Sequence, residues 1–185
     1  IISNKSTSVF SSLGAIGKQE QGLLHEDILP INENYLKLGK EVFYKETFGN
    51  EVFFTDILGI LNGPFTITNI TKAILQLKGN GTSNLQVELS EDVTIGGKVY
   101  KKGQKIDTGI DVVKGTIFPL GTKLTFHEGK LKMGVTCTAC HATVDRDTGL
   151  VIEGAPNHDF NVGMLLALGT NSAAYFTHTD VKNIE

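Results

Sequence analysis

The stretch Cys137-Thr138-Ala139-Cys140-His141 constrains this chain more than any other. Two thiols separated by two residues lie on one helical turn, and an imidazole follows the second thiol directly. Thiols so spaced can add across the two vinyl groups of one porphyrin, and the histidine then lies beneath the ring, where it can bind iron. The expected cofactor is one haem c, covalent through Cys137 and Cys140, with His141 as the proximal ligand. A thioredoxin-like redox pair has the same cysteine spacing but needs a βαβ context, which Val135-Thr136 before a lone helix does not supply. A zinc site could add His127 or His158 to the thiols, yet the usual second ligand pair at close spacing is missing. The chain has two cysteines in all, so none is left for a structural disulfide.

The rest of the composition suits a folded haem domain. At 185 residues, with 40% hydrophobic and 20% charged, the chain is long enough to bury one core and too apolar to stay disordered. It has no Trp and 8% aromatics, so a buried macrocycle would supply hydrophobic contact the side chains lack. The formal charge is -3, Arg146 is the one arginine and the lysines are dispersed, which argues against a nucleic-acid partner. No run approaches the roughly 18 apolar residues that a membrane span needs; Met164-Leu165-Leu166-Ala167-Leu168 is core-sized. The sequence starts at Ile1 without methionine, as suits a processed protein or a fragment. Haem attachment to such a motif normally follows export, so a periplasmic or extracellular location is expected.

Residues 1–30, rich in Ser, Gly and Gln and ending at Pro30, read as an extended N-terminal arm, and 31–185 as a single haem domain. A helix is expected from Asn32 to about Phe48, and a second through Phe53, Phe54, Ile57, Leu58 and Leu61 to the stop at Asn62-Gly63-Pro64. Ile70, Ile74 and Leu77 repeat at helical spacing before Gly79. Leu85, Val87 and Leu89 then alternate with polar residues as in a half-buried strand, and Val93, Ile95, Gly96-Gly97 and Val99 signal a hairpin. This β insert is expected to span about 84–126. Helix should return at the cysteine motif and again around Asn161 to Leu168. The expected class is a mainly α, cytochrome c-like helical domain with a small β insert, α+β overall.

For the sixth iron position the candidates are Met164, His158, His178 or no side chain at all. Met164 starts an apolar helix beyond the motif, and thioether ligation would raise the reduction potential; a methionine among leucines is equally a packing residue. Either histidine would give a bis-histidine iron. Met133, four residues before Cys137, is set aside as too close to cross the ring, and His25 is remote. Arg146 is placed to pair with a haem propionate or to stand as a surface charge. Asn157 and Asn161 suit helix capping or a propionate contact. Lys98, Lys101, Lys102 and Lys105 form either a docking patch for an acidic redox partner or a solvated strand face.

The segment Gly134-Val135-Thr136-Cys137-Thr138-Ala139-Cys140-His141 resembles the haem-binding stretch of many bacterial cytochrome c domains. A longer tract, through Ile152-Glu153-Gly154-Ala155-Pro156-Asn157-His158-Asp159 to Asn171-Ser172-Ala173-Ala174, is similar to the N-terminal haem domain of the dihaem peroxidase and rubber-oxygenase superfamily. The resemblance covers about the last third of the chain. It implies the same roles for Cys137, Cys140 and His141. Members of that superfamily carry two haem motifs, and this sequence carries one. Plain electron transfer between redox partners is therefore expected ahead of catalysis, with the other haem domain, where one is needed, supplied by a partner. The rivals are a haem enzyme or small-ligand binder with an open distal site, and a subunit of an electron-conducting assembly.

Overall fold

Short hairpins, rather than helices, make up much of the chain around the motif. In the computed structural model, which describes residues 32–178, helix accounts for 32% and strand for 22%. The mainly α expectation is therefore corrected to a mixed α+β fold. The difference arises after residue 121, where strands β5 (Thr122–His127) and β6 (Lys130–Val135) pair, followed past the motif by β7 (Ala142–Val144) with β8 (Val151–Glu153). Turns at Glu128-Gly129 and through Asp145–Leu150 cut this stretch into runs of at most six residues. Such runs are too short to sustain free-standing helices, whereas paired strands satisfy their backbone groups across the hairpin.

Packing divides the chain into two compact units, Ile1–Gly39 and Lys40–Glu185. The arm expected over 1–30 lies outside the described residues. In the first unit, helix α1 (Glu33–Lys45) begins at Asn32, whose side-chain oxygen accepts a hydrogen bond from the Tyr35 N–H at 3.0 Å. That bond satisfies one of the orphan donors of the first turn.

The second unit continues α1 and adds helix α2 (Asn50–Val52), which runs into a wider turn over Phe53–Ile57. In that turn the Leu58 N–H reaches back five residues to the Phe53 carbonyl, at 2.9 Å. The helix expected to continue to Leu61 stops here. Leu58, Ile60 and Phe65 all enter the core, and positions two apart cannot share a helix face. Helix α3 (Ile67–Gln76) is capped by Thr66, whose hydroxyl accepts from the Asn69 N–H at 3.2 Å. It buries Ile70, Ala73 and Ile74, an i, i+3, i+4 stripe.

That stripe packs near strand β1 (Gln86–Glu88), which pairs with β4 (Lys105–Asp107). Leu85, Val87 and Leu89 are all at most 2% exposed, as their alternation requires. Between them β2 (Val93–Ile95) and β3 (Lys98–Tyr100) form a hairpin across Gly96-Gly97. Both glycines are left-handed (φ 55° and 77°), the conformation a two-residue turn of this twist demands. A one-turn helix α4 (Thr138–His141) holds the motif, and α5 (Val162–Ala167) and α6 (Ser172–Thr177) follow β8. Leu165 and Leu168 join the same hydrophobic core. No helix among the described residues is long and apolar enough to cross a membrane.

Candidate functional site

A four-residue helix cannot hold itself together, so the motif depends on what surrounds it. The approach is built first. Strand β6 leads into Cys137 with β5 along one edge, and the helical segment 50–57 closes the other. The Asn50 side chain accepts from the Val135 N–H at 2.9 Å and donates to the Val135 carbonyl at 2.7 Å. Two residues earlier, the Thr55 hydroxyl accepts from the Met133 N–H at 2.9 Å and donates to its carbonyl at 3.4 Å. Asn50 and Thr55 thus replace a missing neighbouring strand. One residue before Met133, buried Lys132 pairs with Asp56 at 2.6 Å and with Glu128 at 3.3 Å.

The far end of the motif is tied with equal care. A helix ends with carbonyls that have no intrahelical donor. Here the Asn157 side chain donates to the Ala139 carbonyl (3.4 Å) and to that of Gly109 (3.1 Å). The Asn157 N–H takes the Cys140 carbonyl at 2.9 Å, and the Gly154 N–H takes that of His141 at 2.9 Å. Asn157 is therefore the clamp of the motif rather than a helix cap, while Asn161 is a cap: its side chain accepts from the Met164 N–H at 3.1 Å at the start of α5. Next to the clamp, Glu153 accepts from the Tyr44 hydroxyl at 2.7 Å and pairs with Lys40 at 2.8 Å. Burial and the neighbouring Glu153 push the Tyr44 hydroxyl up to about 12.

Cys140 and His141 are exposed and Cys137 is half-buried. Both cysteines are free thiols. The thiol of Cys140 is raised by desolvation first and by Cys137 second, the reverse of the shift that activates a redox thiol. Among the described residues no group of three or more His, Cys, Asp and Glu comes together to hold a metal ion.

Cys140 also forms part of the wall of an apolar cavity of about 130 Å³. Phe54, Phe65, Phe160 and Leu165 line it, together with Met133 and Val135, which alternate onto the same face of β6. A cavity of roughly 150 Å³ with such walls admits benzene, so this one can receive the edge of an aromatic macrocycle, though not a whole one. Thr122, Asn157 and one carboxyl interrupt the wall; the carboxyl is Asp111, 2% exposed. Its Oδ2 accepts from the Thr143 hydroxyl at 2.8 Å and the Val144 N–H at 2.5 Å, just past the motif. Its Oδ1 is buried and has no partner. Burial raises this carboxyl above the usual carboxylate range, against the pull of those two hydrogen bonds. Sequence reasoning missed Asp111, and only its position between Ile110 and Val112, both apolar, hinted at burial.

The other sequence candidates are dispersed. Met164 packs against the hydrophobic core and is not on the cavity wall, whereas Met133 is. His158 and His178 are exposed, and His127 lies at the tip of β5, 3.6 Å from Glu128. His25 lies outside the described residues. Arg146 donates to the Ser83 hydroxyl at 3.0 Å and pairs with Asp159 at 2.8 Å. Of the lysine cluster, Lys101 pairs with Asp92 at 2.8 Å and Lys98 sits 4.9 Å above the Tyr100 ring. No family model, curated protein or solved structure matches this chain, so its reading rests on these residues and their geometry.

Proposed function

We propose that this chain is a c-type cytochrome that passes electrons between redox partner proteins. Cys137 and Cys140 would hold one haem by thioether bonds, and His141 would bind its iron. The observation that carries the reading is the turn itself: two free thiols and an exposed imidazole within five consecutive residues, a one-turn helix and its N-cap, braced from both sides, with an apolar chamber beside Cys140. Haem supplies a one-electron ferric/ferrous couple when bound. The chain's residues hold the attachment point rigid: Asn50 and Thr55 fix the strand before it and Asn157 the carbonyls after it. Little movement at the motif between the two charge states is what a carrier needs. Export before attachment belongs to the same proposal, and so does a periplasmic or extracellular setting.

For the sixth position Met164 is the thioether candidate, packed against the core, with His158, His178 or an open site as the alternatives; Met133 lines the cavity but lies too close to Cys137 to cross the ring. The rival function is a haem enzyme or small-ligand binder, which needs an open position. Carbon monoxide added to the ferrous protein separates the two: an unchanged optical spectrum supports a carrier, and ready binding supports the rival. Attachment is tested by mass. The denatured protein should weigh one haem more than the polypeptide, and replacing Cys137 and Cys140 by alanine should release the haem. Extraction of free haem from the unaltered protein by acidified organic solvent would overturn the proposal.

A further inference from the structure

The two edges of the β5–β6 hairpin are finished differently. Glu128 and Gly129 are both left-handed (φ 54° and 75°), so the turn has two residues and His127 and Lys130 exchange its closing hydrogen bonds. Bonded pairs then alternate at Thr125–Lys132 and Lys123–Gly134. The backbone groups of Met133 and Val135 therefore point out of one edge, and those of Leu124 and Phe126 out of the other. On the β6 edge Thr55 and Asn50 take the N–H and C=O of both residues. On the β5 edge no described residue takes those of Leu124 or Phe126. An open edge is a template for another strand.

The side chains beside that edge are apolar. By alternation Leu124 and Phe126 share a face with Leu131 and Met133. Leu124 and Met133 also line a groove of about 190 Å³ against α3, walled in addition by Leu75, Ile117 and Phe118. Leu75, Ile117, Phe118, Leu124, Phe126 and Leu131 are all exposed, Phe126 by 75%. Together they present on the order of 600 Å² of apolar surface, at the top of the range for one patch on a monomer. A stable dimer takes roughly 800 Å² from each partner, a little over half of it apolar. The patch supplies that apolar share.

We propose that the occupant is a second copy of this chain, whose β5 pairs antiparallel with the first about a two-fold axis through Thr125. The free groups fix that register. It sets Leu124 against Phe126 of the other copy, and Phe126 against Leu124, so the four open N–H and C=O groups of one edge meet the four of the other. With the axis at Leu124, Phe126 would face Thr122, whose N–H is already given to the Pro119 carbonyl at 3.3 Å. With the axis at Phe126, Leu124 would face the left-handed Glu128. The contact is isologous, as a two-fold requires. Each Phe126 ring lies over Leu124 at the mouth of the other copy's groove, which has room for a ring of benzene's size. On the polar face Thr125 meets Thr125, a favourable cross-strand pair. Lys123 meets His127, whose imidazole stands 3.6 Å from the Glu128 carboxylate, so the one lysine of β5 gains an acidic neighbour across the axis.

The test is sedimentation equilibrium of the full 185-residue chain. Its mass should double, from one chain to two, as concentration rises through the micromolar range. Phe126→Lys puts a charge at the mouth of the groove and should hold the mass at one chain. Leu150→Lys, at an apolar residue 64% exposed beyond the β7 turn, should leave the doubling unchanged. A monomer at every concentration overturns the proposal and leaves the edge to a strand of another protein. A dimer that Phe126→Lys leaves intact, or that Leu150→Lys abolishes, overturns it as well. Should Phe126→Lys fail to fold, amide hydrogen exchange in the unaltered protein decides. Protection of the Leu124 and Phe126 N–H groups should be lost on dilution, while that of Lys123 and Thr125, bonded to β6 in either state, should remain. Exchange at Leu124 and Phe126 that ignores concentration overturns the proposal. None of these outcomes depends on whether haem is attached at Cys137 and Cys140.

Discussion

Gly121 touches the motif more closely than any side chain can. It lies where the loop after Asp111 enters β5, its φ is 74°, and its carbonyl accepts from the Thr136 N–H at 2.9 Å. A Cβ built there would stand 2.1 Å from the Ala139 nitrogen and 2.4 Å from the Ala139 Cα, both backbone atoms at the centre of the cysteine turn. Gly121→Ala therefore suffers two penalties. A left-handed alanine costs about 1–2 kcal/mol, and forcing a methyl into packed backbone adds roughly 1–3 kcal/mol. Together they make about 2–5 kcal/mol, a large part of the ~5–15 kcal/mol that holds a domain folded. Gly129 supplies the control, since its φ is 75° but nothing lies within 4 Å of its added Cβ. Gly129→Ala should bear the conformational penalty alone. Urea unfolding of the two holoproteins, compared at constant m-value, should place Gly121→Ala lower by at least ~1 kcal/mol. With haem attached as proposed, its absorption bands should shift in the Gly121 variant alone, because the displaced atoms belong to the cysteine turn. Equal destabilisation by the two substitutions would refute the claim that Gly121 is fixed by contact with the motif.

Two further outcomes are expected. Asp111 is raised by burial, so its folded form holds a proton that the unfolded chain releases; the stability this contributes is complete below the ordinary carboxylate range and is lost as pH rises through the raised value. Asp111→Asn should therefore gain on the unaltered protein with rising pH in parallel unfolding titrations, and a constant difference between the two would contradict the burial argument. For the methionines, and with haem attached as proposed, Met164→Ala should abolish the weak long-wavelength sulfur-to-iron band of the ferric protein and cost about 2–3 kcal/mol of packing, at the low end for a methionine lost from a core. An unchanged band would pass the sixth position to His158, His178 or an open site.

What could be read in advance was whatever lies within one short window. The Gly96-Gly97 hairpin, the alternation at Leu85, Val87 and Leu89, and the α3 stripe at Ile70 and Ile74 each carry their period in fewer than a dozen residues. The β6 strand misleads instead. Leu131, Met133 and Val135 alternate with Lys130, Lys132 and Gly134, but its buried lysine reads as a surface residue until Asp56, from 76 positions away, is found against it. The same holds for Leu58, where the helical pattern of the sequence runs on to Leu61. The core called Leu58 and Ile60 inward together, and local periodicity yielded to it.

The site divides along the same line. Cys137, Cys140 and His141 fall within five consecutive residues, so the motif is legible as a word. Everything that would make the motif work as a rigid redox centre is distant in sequence: Asn50 and Thr55 from before the core, Gly109, Asp111 and Gly121 from the connecting loop, Asn157 from beyond β8. These are Asn, Thr, Asp and Gly, the residue types that also fill ordinary turns, so composition cannot mark them out. Apart from Gly109, whose carbonyl accepts from the Asn157 side chain, each meets a backbone group of the segment 133–144. A residue is tied to this site by its partner atom and not by its type, which is why the burial and the unpaired oxygen of Asp111 identify it when its sequence neighbours do not.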